Sequence, residues 1–303
     1  MSMKAVVNSF IRNVIVYKGH EENPLLGPYA DNITKQIDMF HILNRYREEY
    51  GRPPWKITAI AGEKLISALQ ECNPKETLLV IPAGQSSNLE KVFSVAQTSF
   101  IKNQFLAERG GRLYATCGAS YAMSKVRKYN GLCTQQPEKR ELTIKQSAFP
   151  LFEGTAEGPL CPFPGEKYKV GFYSDAVTVT NGKDKCTIYL SGGGSFLPDA
   201  SAQKVKTLVK YLDSELTRLG KPLAEHKDSA NATILAKVGK GTVLLSMFHP
   251  YYGSKDFNVE LYEKTFPNCG TNWRAVKDNL SPLDERMRFV LNSMLFPLED
   301  ANE

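Results

Sequence analysis

Short β-branched runs alternate with helix-spaced apolar positions through the first 120 residues of the chain. Residues 14–17 (Val-Ile-Val-Tyr) predict a strand that ends in the loop Lys18–Gly19–His20. Ile33, Ile37, Phe40, His41 and Leu43 then recur at helical spacing, predicting a helix over about 29–50 that Gly51–Arg52–Pro53–Pro54 stops. A second strand follows at 55–61, a short helix at 63–71, and a third strand at 78–81 whose Leu-Leu-Val-Ile run is apolar on both faces. Pro82–Ala83–Gly84–Gln85–Ser86 closes that strand with a turn. Residues 89–94 and 99–109 read as helical, and 112–115 as the next strand. Strands alternating with helices imply an α/β fold with a parallel sheet covered on both faces. In such sheets the functional crevice lies beyond the carboxyl ends of the strands, where Ala83–Gly84 and Cys117 fall.

The register changes after residue 140. Residues 142–144, 168–170, 177–179 and 187–189 predict short strands between Pro- and Gly-rich turns, a mostly antiparallel extension. Val205, Leu208, Val209, Leu212 and Leu216 fit the inward face of a long amphipathic helix over 201–218. Strands at 232–236 and 242–247, joined through Val238–Gly239–Lys240–Gly241, lead into Phe248–His249–Pro250–Tyr251–Tyr252–Gly253. A helical segment at 283–296 finishes the chain. With no repeat, low-complexity tract or linker, one α/β domain is expected over 1–303. Its core lies at about 14–253, with a C-terminal helical tail at about 257–303.

Composition narrows the class. At 42% hydrophobic and 23% charged residues, the chain has an ordinary globular composition with ample apolar content for a core. The formal charge is +6, with no block of like charges, so no nucleic-acid partner is indicated. The basic groups Lys125–Arg127–Lys128 and Lys204–Lys206–Lys210 read as solvated helix faces. Six cysteines (72, 117, 133, 161, 186 and 269) are scattered without a C-x-x-C pair. That pattern argues against a zinc site and fits reduced thiols in a cytoplasm. No metal and no cofactor are expected. The N-terminal residues 1–12 lack the apolar core of a signal peptide, and nothing approaches the ~20 apolar residues of a membrane span. Export without a cleaved signal stays open.

Chemistry enters at Arg112–Leu113–Tyr114–Ala115–Thr116–Cys117–Gly118–Ala119–Ser120, a cysteine between a predicted strand and a predicted helix continued by Tyr121, Ala122, Met123 and Val126. A cysteine on such a turn projects above the sheet edge, with the helix's first amides aimed at it, which favours the thiolate. The alternative is a small buried packing residue. Of the four histidines, His249 alone follows a hydrophobic strand near the end of the α/β pattern. His41 lies among helical apolar positions, and His20 and His226 lie in polar loops. Cys117 and His249 together suggest a thiol nucleophile and its base, with amides at Ala83–Gly84–Gln85 and at Gly118 holding an oxyanion. His249 before Pro250 could equally be a satisfied strand-end residue.

Ile-Pro-x-Gly at 81–84, Gly-Gly-Arg-Leu-Tyr-Ala-Thr-Cys-Gly-Ala at 110–119, Gly-Gly-Gly-Ser-Phe at 192–196 and Gly-Lys-Gly-Thr-Val-Leu-Leu-Ser-x-x-His-Pro at 239–250 occur in this order. Tyr17–Lys18–Gly19, Leu151–Phe152–Glu153–Gly154 and Glu157–Gly158–Pro159 belong to the same pattern. The set resembles class I glutamine-amidotransferase-like proteins, and within them the N-terminal domain of biotin–protein ligases, over about 14–253. The resemblance implies a flavodoxin-like fold, Cys117 as nucleophile, His249 as base, and oxyanion turns at Ala83–Gly84 and Gly118. Two positions depart from that pattern. Amidotransferases of this class read His-Pro-Glu, whereas position 251 is Tyr, so another acid substitutes or the base is weakened. Asp256, Glu260 and the more distant Asp175 are the candidates. The turn itself reads Thr116–Cys117–Gly118 where the family commonly has Cys-Ala-Gly. Gly193, Phe196, Tyr251 and Tyr252 are candidates for the pocket, as flat apolar walls or as core. The chain carries no Gly-Arg-Gly-Arg-type biotin-activation motif, so biotin transfer by it alone is not expected. Two functions compete: a cysteine-dependent hydrolase or amidase, and a non-catalytic module binding a small ligand or a protein partner. A redox-sensing thiol is a weaker third.

Overall fold

The computed structural model describes residues 10–19, 31–84, 86–132, 140–161, 174–202, 204–219, 230–265 and 271–301. The first half follows the alternation closely. Strand β1 (Asn13–Tyr17) leads to α1 (Asn32–Glu49), β2 (Lys56–Ile60), α2 (Leu65–Glu71), β3 (Thr77–Ile81), α3 (Ser86–Val92) and α4 (Val95–Ser99). Helix α4 continues as a π-helix over Phe100–Glu108 before β4 (Arg112–Thr116) and α5 (Gly118–Ala122). Every residue of β3 and β4 is buried, as expected for strands covered on both faces.

Next come β5 (Ser124–Leu132), β6 (Arg140–Gln146), β7 (Phe152–Gly158), β8 (Ser174–Thr180), β9 (Lys185–Ser191), β10 (Ser195–Pro198) and β11 (Val205–Tyr211). Helix α6 (Asp213–Arg218) precedes β12 (Asn231–Val238) and β13 (Gly241–Ser246). Helices α7 (Val259–Thr265), α8 (Trp273–Asn279), α9 (Leu283–Val290) and α10 (Phe296–Asp300) follow.

The main sheet has the order β2-β1-β3-β4-β13-β12-β11-β8-β9. Its first five strands are parallel, in the flavodoxin-like order 2-1-3-4-5 with β13 as the fifth. From β12 onward the strands are antiparallel, the extension expected from the sequence. A second sheet, β10-β7-β5-β6, packs on the same molecule. The two-residue period of the strands divides the core between the faces of the main sheet. Val14, Val16, Leu78, Val80, Tyr114 and Leu244 join α1 and the C-terminal helices on one side. Ile15, Leu79, Ile81, Leu113, Ala115, Val243 and Leu245 join Phe105, Phe152 and Phe196 on the other.

Three sequence expectations change. Residues 201–218 are not one helix: Val205–Tyr211 is a strand paired with β12 and β8, and only Asp213–Arg218 is helical. The apolar spacing matched a helix, but Val205, Thr207 and Val209 are β-branched and two neighbouring strands offered ladder partners. Lys206 and Lys210 are therefore exposed strand residues, and Lys204 opens the strand at φ 70°. The helix after Cys117 also stops early. Met123 caps it, and Val126 belongs to β5, which is held between β6 and β7. Finally, the basic group on that strand is paired: Lys125 with Asp199 and Glu153, Arg127 with Glu90, and Lys128 with Glu157. The strand predicted at 168–170 lies outside the described residues.

Candidate active site at the ends of β4 and β13

Strands β4 and β13 run parallel, with Thr116 opposite Ser246. The chain leaves β4 through Cys117, whose N–H donates to the Ser246 carbonyl at 2.7 Å. Cys117 has φ 49° and ψ −115°, a left-handed conformation that L-residues rarely adopt. Such a residue costs about 1–3 kcal/mol and persists only where its surroundings over-determine it. Here Ser120 does much of the holding. Its buried hydroxyl lies 2.9 Å from both the Ala115 and Ser246 carbonyls, and accepts from the Ser246 N–H at 3.1 Å. The two strand ends are thereby tied together behind the cysteine. Gly118, lacking a Cβ, follows directly and leaves the turn uncrowded.

The thiol itself is half-buried, and burial pushes it up to about 12, offset only in part by a hydrogen bond from the Gly118 backbone. The expected thiolate is therefore not the resting form. The physical reason is desolvation of the sulfur, which a five-residue helix with few aligned peptides does little to offset.

His249 follows β13 by three residues, at the same edge of the sheet as Cys117. Its N–H donates to Tyr189 O at 2.9 Å, and the Tyr189 ring lies against its own at 5.8 Å. The imidazole is buried, and desolvation pulls it down to about 3, so it is neutral at physiological pH. Its Nδ1 lies 2.8 Å from the Tyr251 hydroxyl, which donates to Asn32 Oδ1 at 3.1 Å. Tyr251 thus stands where the resemblance implies a carboxylate. The acids considered from the sequence are engaged elsewhere: Asp256 by Lys35 and the Gly253 N–H, and Asp175 by Arg218, while Glu260 is exposed.

The glycine-rich turn after β9 approaches the same region. Gly192 and Gly193 adopt positive φ (56° and 60°). The Tyr121 hydroxyl donates to Gly193 O at 2.9 Å, and that of Tyr211 to Gly194 O at 2.8 Å. Both phenols feel the Cys117 sulfur, which adds to the burial that raises them. A side chain on Gly194 would collide with the Tyr121 hydroxyl and the Glu157 carbonyl, so glycine is required there. Ala83 and Gly84 follow β3, the neighbour of β4 on its other side.

The topology therefore gathers Cys117, Gly118, His249, Ala83 and Gly84 at one sheet edge, and Tyr121 ties Gly193 to it. Asp256, Glu260 and Phe196 are not gathered there: Phe196 is core, edge-on to Phe152 at 5.7 Å. Tyr251 and Tyr252 are likewise buried rather than exposed walls. Asn32, Ser120, Tyr121 and Tyr211 join the site without having been foreseen. Ser120 had a local signal, a hydroxyl three residues past the cysteine. Asn32, 217 positions before His249, had none. Among the described residues no group of three metal-ligating side chains occurs, and no helix is long and apolar enough to cross a membrane.

Fold and site together define a flavodoxin-like α/β protein with a cysteine elbow at the carboxyl end of its central parallel strands. Over residues 35–301 the sequence matches the family described as biotin-protein ligase, N terminal, and the chain belongs to that family. It is 27% identical over 183 residues to the biotin–protein ligase of Schizosaccharomyces pombe, covering 59% of this chain and 26% of that protein. The chain thus spans about a quarter of the ligase's length. Among solved structures, a glutamine amidotransferase superposes with a TM-score of 0.40 at 12% identity, over 85% of this chain and 98% of the other. An exo-β-1,4-mannosidase from Opitutaceae bacterium strain TAV5 gives 0.42 at 10% identity, over 90% and 37%.

Proposed function

We propose that this chain is a cysteine-dependent hydrolase acting on a small-molecule acyl compound, an ester or amide, with Cys117 as nucleophile and His249 as general base. The observation that carries this reading is the strained φ of Cys117, held by Ser120 at the strand end adjacent to the one that delivers His249. With thiol and imidazole both neutral at rest, the sulfur attacks as its proton passes to the imidazole, rather than from a preformed ion pair. The S–C bond forms while the acyl C–O or C–N bond breaks, and the leaving group takes up the proton. Water then cleaves the thioester by the reverse relay. On this reading the backbone amides at Ala83–Gly84 and at Gly118 hold the oxyanion. The four described cysteines are thiols rather than disulfides, which supports a reducing compartment such as the cytoplasm.

A second reading, a ligand- or partner-binding module, is favoured by one feature: a neutral phenol and amide stand behind His249, where a carboxylate would stabilise an imidazolium. Hydrolysis of a panel of aryl esters, thioesters and anilides separates the two. Turnover that Cys117→Ala and His249→Gln both abolish, in folded protein, supports the hydrolase. Turnover absent across the panel, with a bound small molecule retained by Cys117→Ala, supports the module.

A further inference from the structure

We infer that Asn32 and Tyr251 are positioning residues that fix the tautomer of His249, leaving its Nε2 as the proton-accepting nitrogen. The inference follows from counting hydrogens. A phenol carries one hydrogen, and a side-chain amide oxygen can only accept. Tyr251 donates its hydrogen to Asn32 Oδ1 at 3.1 Å. At the 2.8 Å contact with His249 Nδ1, the phenolic oxygen has only lone pairs left to offer, so Nδ1 carries the hydrogen and donates it. A neutral imidazole has one N–H, and Nε2 therefore keeps its lone pair.

Asn32 is itself held. It is buried as the first residue of α1, and the neighbouring Tyr252 hydroxyl donates chiefly to Asp31 Oδ1 at 2.8 Å, with a longer arm to Asn32 Oδ1 at 3.3 Å. Among the described residues, the rings of Tyr189, Tyr251 and Tyr252 pack on the imidazole. The relay thus performs one task of the absent carboxylate, setting which nitrogen is basic, without supplying its charge. An imidazolium formed behind this relay has no anion beside it from either positioning residue. A relay that supplies no charge favours acyl donors with good leaving groups, esters and thioesters, over amides. This catalytic consequence rests on the reading of His249 as base; the tautomer does not.

The test is histidine nitrogen NMR on the full chain labelled at its histidines, with His249→Gln identifying the resonance. Wild type is expected to show Nδ1–H at His249. Asn32→Leu removes the acceptor, so Tyr251 turns its hydrogen onto Nδ1 and the ring becomes Nε2–H. Ester turnover should then fall by about 10³–10⁴, the scale seen when a histidine base is held in the wrong tautomer, with KM little changed. Asn32→Asp keeps an acceptor for Tyr251 and should restore the wild-type tautomer. If Asn32→Leu does not fold, Tyr251→Phe is read instead, since it removes the acceptor of Nδ1–H and should also give Nε2–H. An Nε2–H ring in wild type, or a tautomer unmoved by every folded variant, overturns the inference. A wild type that shows Nδ1–H yet hydrolyses nothing leaves the relay standing and refutes the hydrolase reading alone.

Discussion

Replacing Cys117 by glycine should leave the protein more stable than replacing it by alanine, the reverse of the usual order. Both substitutions remove the sulfur, so its packing and its hydrogen bond from Gly118 are lost equally. They differ in the backbone. At φ 49° and ψ −115° alanine retains the strain of an L-residue, about 1–3 kcal/mol, which glycine does not carry. Against this, glycine loses roughly 0.5–1 kcal/mol more conformational entropy on folding. Taking the middle of each range, glycine comes out ahead by about 1 kcal/mol. Unfolding entropy of about 2 cal/mol/K per residue over 303 residues converts that to about 2 °C in Tm. Paired urea and thermal melts of the two variants, with equal m-values as the check on cooperativity, read the difference directly. Alanine more stable than glycine by the ordinary ~1 kcal/mol would show that the turn stores no strain, and would remove the observation on which the functional reading stands.

Other predictions follow the same site. His249 sits at about 3 folded against 6.5 unfolded, so between those values the unfolded chain binds a proton that the native one refuses. Native stability should fall as pH drops through that window, by up to about 1.4 kcal/mol per unit, and His249→Gln should lack this part of the slope in urea titrations at pH 4 to 6. Cys117 alkylation by iodoacetamide should keep rising with pH through 9 without a plateau, because its thiol is pushed up to about 12; a plateau below about 8.5 would show a thiolate stabilised after all. Ser120→Ala should cost about 2 kcal/mol in chemical denaturation, since it leaves the buried ends of β4 and β13 without their shared hydroxyl. Gly194→Ala should impair folding or displace Tyr121, visible as loss of soluble protein or of ester turnover.

The parallel half of the fold was legible because its strands carry their own signal. The strands β3, β4 and β13 each carry an unbroken apolar run (Leu78–Ile81, Leu113–Ala115 and Val243–Leu245), and glycine or proline bounds them. Cys117 and His249 were visible for the same reason, each standing just past such a run. The misreadings lie where pairing partners, not local pattern, decide the conformation. Residues 205–211 have spacing that suits a helix, yet they form a strand because β12 and β8 flank them. Residues 124–132 likewise extend between β6 and β7. The relay behind His249 illustrates a further limit. The tyrosine two residues on departs visibly from the family pattern, but its acceptor comes from the start of α1, and no periodicity links positions 32 and 251. The charge state of Cys117 is hidden for a related reason: the turn suggests a helix terminus, but the helix is one turn long and the sulfur is desolvated.

The central claim is that Cys117 forms a covalent acyl intermediate with His249 taking its proton. Brief incubation with a thioester or aryl ester, acid quench and peptide mass spectrometry reads this most directly. An acyl group on Cys117 that accumulates in wild type, is removed by hydroxylamine and fails to form in His249→Gln is the expected result. No adduct at Cys117, or one that forms equally fast without His249, would contradict it.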